Sequence, residues 1–207
     1  MAGPGATLRA MTSSPRGRRP GSPDTRAQIL DAARSLFADR GFGGTTIRAI
    51  GAEAGVDPAL VHHYFGSKDD LFMSALELPV DPRTVLAPVV AAGVDGAGER
   101  LLRTFLGIWD DPVNQQRFIG LFRRVIEPDG GRLLSDGFVP VVLGPVGQAL
   151  GIDHPEVRMP LVASQMIGLI LTRYVLRVEP LAGMPAEQVV ATYAPTIQRF
   201  LTDPLPA

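Results

Sequence analysis

Between positions 46 and 68 the chain gathers hydroxyl, imidazole, phenol and cationic groups: Thr46, Arg48, His62, His63, Tyr64 and Lys68. Cationic and imidazole groups donate to anionic oxygens, and hydroxyls both donate and accept. This set therefore suits hydrogen bonding to phosphate oxygens and to base edges. Enzyme chemistry needs other groupings: a nucleophile beside a base, two carboxylates in one site, or a phosphate loop. None of these is found along the chain, so no enzyme is expected. Adjacent histidines raise the question of a metal. Neighbours on a helix point about 100° apart, and no third ligand lies close in sequence, so no metal site and no cofactor is expected.

Such groups act only on a frame that presents them. Gly51, Gly55, Val56 and Val61 stand at offsets of +4, +5 and +10 from the first glycine, the spacing of a helix-turn-helix. A small residue at 51 lets two helices cross closely. Gly55, lacking Cβ, takes a left-handed turn. Val56 and Val61 turn inward with Ile47 and Ile50. Thr46 opens a short helix ending near Ala54. Asp57 and Pro58 form the N-cap and first residue of the next helix, which runs to about Tyr64. Leu60, Val61 and Phe65 are expected to face the core, which leaves Asp57, Ala59, His62 and His63 outward for the major groove. Upstream, Ile29, Leu30, Ala33, Leu36 and Phe37 recur at helical spacing from about Pro23 to Arg40, and Gly41 closes that helix. Downstream, Ser67 and Asp70 form a capping box for a fourth helix that Pro79 stops after Leu78.

The run Thr46-Ile47-Arg48-Ala49-Ile50-Gly51, continuing through Gly55-Val56-Asp57-Pro58-Ala59-Leu60-Val61-His62-His63-Tyr64-Phe65 to Ser67-Lys68-Asp69-Asp70-Leu71-Phe72, resembles the DNA-binding domain of the TetR (tetracycline-repressor-like) family. Leu36-Phe37-Ala38-Asp39-Arg40-Gly41-Phe42 resembles that family's opening helix, so the likeness covers about residues 24–78. It implies an all-α fold, with an N-terminal three-helix helix-turn-helix domain and a C-terminal helical ligand-binding and dimerisation domain. Thr46 and Lys68 become clamps on the DNA backbone, Tyr64 and Arg48 further contacts, and the helix 3 residues the readers of sequence. The implied partners are a double-stranded DNA operator, a second copy paired through the last two helices, and a small-molecule effector. The implied function is a homodimeric repressor released from a near-palindromic operator, the alternative being a ligand-independent regulator or an activator of the same fold. Two details depart from the family: Gly51 stands where alanine is common, and His62-His63-Tyr64 reverses the usual order of tyrosine and histidine.

Residues 1–22 are rich in Gly, Pro, Ser, Thr and Arg and read as a flexible tail. Arg18 and Arg19 within it are either solvated or accessory contacts to a narrow minor groove. Residues 23–78 form the DNA-binding unit and 79–207 the helical body. Helices are predicted at 82–92, 97–110, 113–127, 132–150 with an interruption, 155–178 and 186–202. Phe105, Trp109, Phe118 and Phe122, with Met166 and Leu169, are either ordinary core or the lining of an effector pocket. Pro140 and Pro145 bar a straight helix between Phe138 and Gly147. Ala163, Ser164, Gly168 and Thr172 give the penultimate helix a small-residue side suited to pairing.

Charge follows this division. Residues 1–68 carry a net +4 and residues 69–207 a net −5, although the whole chain stands at only −1. That asymmetry is expected where one end meets phosphate. There are no cysteines, which removes disulfides and thiolate sites and fits a reducing cytoplasm. The most apolar run, Leu161 to Leu171, is about half a membrane span, and no hydrophobic segment follows the polar start. The expected location is cytoplasmic, without membrane contact.

Overall fold

The computed structural model describes residues 24–125, 132 and 134–205. Among them every regular element is helical. Arg18, Arg19 and the rest of the tail lie outside the described residues. Helix α1 (Thr25–Gly44) is capped by Asp24, whose carboxylate accepts from the Arg26 amide at 3.1 Å. Its stripe of Ile29, Leu30, Ala33, Leu36 and Phe37 is buried. Gly41 (φ 68°) breaks the rod, as its type foretold, and one further turn follows. Thr45 then buries its hydroxyl within 3.0 Å of the Leu36 carbonyl and 2.8 Å of that of Gly41. This occupies backbone oxygens that the break would otherwise strand.

Helices α2 (Ile47–Ala54) and α3 (Pro58–Phe65) form the helix-turn-helix, and α4 (Lys68–Leu76) leads away from it. Phe72 of α4 packs edge-on against Phe37 and Phe42, with ring centres 5.2 Å away in both cases. Helix α4 stops two residues before the predicted Leu78, because Glu77 turns left-handed (φ 53°). Its carboxylate meets Arg34 of α1 at 2.5 Å. A tertiary ion pair, not Pro79, marks the end.

The body comprises α5 (Pro82–Ala91), α6 (Ala97–Trp109), α7 (Pro112–Val125), α8 (Leu134–Leu143), α9 (Gly144–Ala149), α10 (Pro155–Leu169) and α11 (Ala186–Thr202). The interruption predicted near Pro140 takes the form of π-winding throughout α8, after which Pro145 starts α9. A second π-wound stretch (Ile170–Val175) continues α10. Two apolar cores result. Val141 and Val142 of α8 join residues from α1 to α4 in the first core, while α6, α10 and α11 build the second. Gly137 of α8 sits directly on the Phe72 ring, where a methyl group would overlap it.

Arg83 joins α4 to α5, reaching Asp70 at 2.7 Å and Asp81 at 2.9 Å. Asp70 lies below its ordinary value through the Ser67 hydroxyl first and Arg83 second, and Asp81 does so chiefly through Arg83. Folded-state values that are depressed give stability present above the ordinary carboxylate range and lost as pH falls through the depressed values. Arg83→Gln is therefore expected to flatten the acid limb of thermal stability below about pH 5, with little change in the slope above it. Melting curves across that range check it; an unchanged acid limb would refute the pairing.

Candidate nucleic-acid interface

Each end of the helix-turn-helix is set by a side chain that the sequence places. Thr46 (φ −120°) caps α2, its hydroxyl accepting from the Ala49 amide at 3.1 Å. Ser67 caps α4, accepting from the Asp70 amide at 3.0 Å. In both helices the first-turn amides ahead of the capped one lack intrahelical acceptors and favour an anion. Gly55 (φ 68°, ψ 30°) makes the left-handed turn, and a Cβ on Gly51 would come within 3.0 Å of the Val56 carbonyl oxygen. The departure from alanine at 51 thus accompanies a crossing too tight for a methyl group without adjustment.

Helix α3 buries Val61 and Phe65 and leaves Ala59, His62, His63 and Tyr64 exposed. Leu60, expected in the core, is 41% exposed. In an eight-residue helix Val61 and Phe65, four apart, define the buried line, and Leu60 falls a hundred degrees off it. Asp57 is the N-cap, accepting from the Ala59 amide at 2.8 Å. One carboxylate oxygen is thereby occupied, and the residue as a whole is exposed.

His62 Nδ1 lies 2.9 Å from the Gly66 carbonyl oxygen. A carbonyl only accepts, so Nδ1 carries the hydrogen and Nε2 is the outward atom. In the neutral ring Nε2 is an acceptor; it becomes a donor only on protonation. His63 stands edge-on to the Tyr64 ring at 5.6 Å. Lys68, expected as a clamp on the DNA backbone, lies with Nζ 4.1 Å from the Phe42 ring centre. Burial draws its ammonium below the ordinary lysine value, with Asp69 opposing. Phe42 is thus a positioning residue that sequence reasoning missed; only its place just after Gly41 hinted at it. Arg48 is exposed on α2. Arg26 at the start of α1 lies 5.0 Å from the Phe65 ring centre and holds the far end of α3. Among the described residues no cluster of three metal-binding side chains occurs, and no helix is long and apolar enough to cross a membrane.

A cavity of about 240 Å³ opens within the body. Phe105, Trp109, Phe118, Phe122 and Met166 all line it. Leu169 does not: it is buried in the helix core, just off the edge of the stripe formed by Met159, Val162, Ala163, Met166 and Ile170. Trp109 stacks on Phe118 at 4.9 Å and on Phe105 at 5.8 Å. Behind it, Tyr174 donates to Asp110 at 2.8 Å. Burial first, then Asp110, pushes that phenol well above its ordinary value. The wall also includes Leu76 and Leu78 at the end of α4 and Phe138 and Leu143 of α8. The cavity therefore touches both segments that reach the first core.

Comparison with known proteins agrees over both halves. Residues 29–75 match the family described as "Bacterial regulatory proteins, tetR family", and residues 95–201 match "Tetracyclin repressor-like, C-terminal domain". The HTH-type transcriptional regulator BetI of Paraburkholderia xenovorans is 27% identical over 129 residues, 54% of this chain and 64% of that protein. The HTH-type transcriptional repressor SCO4008 of Streptomyces coelicolor is 37% identical over 78 residues, 38% of this chain and 41% of that one. These matches span less than two thirds of the length of either relative. The solved structure of the TetR-family regulator SCO0857 from Streptomyces coelicolor is 37% identical, covers 90% of this chain and 99% of its own, and superposes with a TM-score of 0.45.

Proposed function

Because the chain belongs to the TetR family of bacterial transcriptional regulators, we propose that it is a homodimeric repressor that a small ligand releases from a near-palindromic operator. The observation that carries this reading is α3: Val61 and Phe65 anchor it, while Ala59, His62, His63 and Tyr64 are exposed on its outer side. The first turns of α2 and α4 flank it with free amides. Thr46, Arg48 and Lys68 hold phosphates and set register; α3 reads bases. In the major groove the Ala59 methyl meets a thymine methyl, and the free oxygen of Asp57 accepts from cytosine N4. His62, with Nδ1 held by the Gly66 carbonyl, turns its other ring nitrogen to a base edge.

Dimerisation falls to the outer sides of α10 and α11. Val157, Leu176 and Val178 are exposed apolar residues on and beyond α10, while α11 keeps Ala191, Thr192 and Thr196 exposed opposite its buried face. A two-fold dimer places two recognition helices about one DNA turn apart, or a multiple of it. A ligand in the cavity presses on the end of α4 and on α8. It releases DNA only if it binds the DNA-incompetent arrangement better. The name of one relative, a transcriptional repressor, supports repression over activation.

The test is a mobility shift on DNA flanking the protein's own gene. Lys68→Ala is expected to weaken binding to all sequences alike and to reduce the salt slope by about one. His62→Ala or His63→Ala is expected to relax discrimination among operator variants instead, by about 1–3 kcal/mol at the base pair concerned. If both kinds of substitution left binding unchanged, the DNA surface would lie elsewhere.

A further inference from the structure

What the cavity wall lacks decides what it takes; this inference rests on the ligand-release reading above. Among the described residues no charged side chain lines the cavity, and Thr104 and Trp109 are the lining residues whose side chains carry a hydrogen-bonding group at all. One ion pair adjoins the aromatic wall beside Trp109 and is held by protein groups. Asp110 accepts from Tyr174 and lies 3.6 Å from Arg173, whose guanidinium donates to the Leu181 and Met184 carbonyls at 2.7 Å each. Arg123, near the end of α7, is exposed.

We propose that this cavity binds an uncharged, predominantly hydrocarbon molecule carrying no more than one or two hydrogen-bonding groups, and excludes carboxylates and ammonium ions of the same size. An ion entering here would shed its hydration and meet no counter-charge among the described lining residues, a far larger penalty than a hydroxyl suffers. Aromatic faces at Trp109, Phe105 and Phe118 favour a compact ring system over a polar chain.

Trp109 is the sole tryptophan of the chain and lies on the cavity wall, so its emission reports occupancy directly. The full-length protein, without DNA, is titrated with three ultraviolet-transparent probes of matched shape: adamantan-1-ol, adamantane-1-carboxylate and adamantan-1-ammonium. The expected result is a saturable change in Trp109 emission with the alcohol, and binding at least tenfold weaker for both ions. Equal or tighter binding of either ion overturns the proposal, as does failure of the alcohol to bind. Met166→Arg, which puts a cation on the wall, is expected to reverse the order in favour of the carboxylate. Should that variant not fold, the three titrations of the unaltered protein still decide. Mobility shifts on the same samples separate the two readings: a protein that binds the alcohol but shifts no DNA refutes the regulator and leaves the ligand class standing.

Discussion

Phe72→Ala is expected to lower the free energy of unfolding by about 3–5 kcal/mol and to abolish DNA binding near physiological temperature. The ring is fully buried and joins three elements: its own α4, α1 through Phe37 and Phe42 on either side of the Gly41 break, and α8 through Gly137. No neighbour can collapse into the void without moving a helix, so the cavity term adds to the lost transfer energy. Phe42 is also the ring beneath Lys68. Removing Phe72 thus loosens a cation that it does not touch, the one proposed to hold a DNA phosphate. Denaturant unfolding followed by circular dichroism checks the first effect and mobility shift the second. A loss below about 1 kcal/mol would mean that the three elements do not meet at this ring. Gly137→Ala approaches the same point from the other side, by forcing α8 off the ring.

Gly98→Val is expected to cost about 3–5 kcal/mol through overpacking and two broken hydrogen bonds. Even the first carbon of a side chain would lie 2.7 Å from both the Ala194 carbonyl oxygen and the Gln198 amide nitrogen. These are backbone atoms of α11 and cannot swing aside. Gln198 would also lose its two anchors, accepting from the Gly98 amide and donating to the Val94 carbonyl, each at 3.0 Å. Because α6 and α11 would part, the proposed dimer face on α11 should weaken as well, which sedimentation at several concentrations measures. Gly107→Ala provides the contrast. It lies on the same helix with nothing within 4 Å of the added carbon, and should stabilise by up to about 1 kcal/mol through helix propensity. If both substitutions behaved alike, close approach of α6 to α11 would not be what Gly98 serves.

Much of the DNA-binding unit was legible in the sequence. Its requirements are local: a left-handed turn needs glycine at 55, a tight crossing needs a small residue at 51, and free first-turn amides need Thr46, Asp57 and Ser67 as caps. Each is a steric or hydrogen-bonding demand satisfied within a few residues, so residue type and spacing carry it. Of the C-terminal helices, those predicted at 82–92, 97–110 and 186–202 were legible to within a residue for the same reason, since Pro and Gly punctuate them. The aromatic residues of α6 and α7 were legible as a group but not as a pocket. Core and cavity wall use the same side chains, and only the space left between helices separates the two.

What the tertiary structure alone decided concerns partners distant in sequence. Lys68 keeps its place but spends its charge over Phe42, and His62 loses one ring nitrogen to the Gly66 carbonyl. Glu77, not Pro79, ends α4, because Arg34 lies beside it. Helix α8 completes the core of the DNA-binding unit from more than sixty positions downstream, as Val141 and Val142 show. The hydrophobic effect is non-directional: it requires that apolar side chains be buried but does not name the element that buries them. Spacing along one helix shows which face turns inward. Which helix it meets there, and whether the meeting leaves a cavity, is settled only when all of them pack at once.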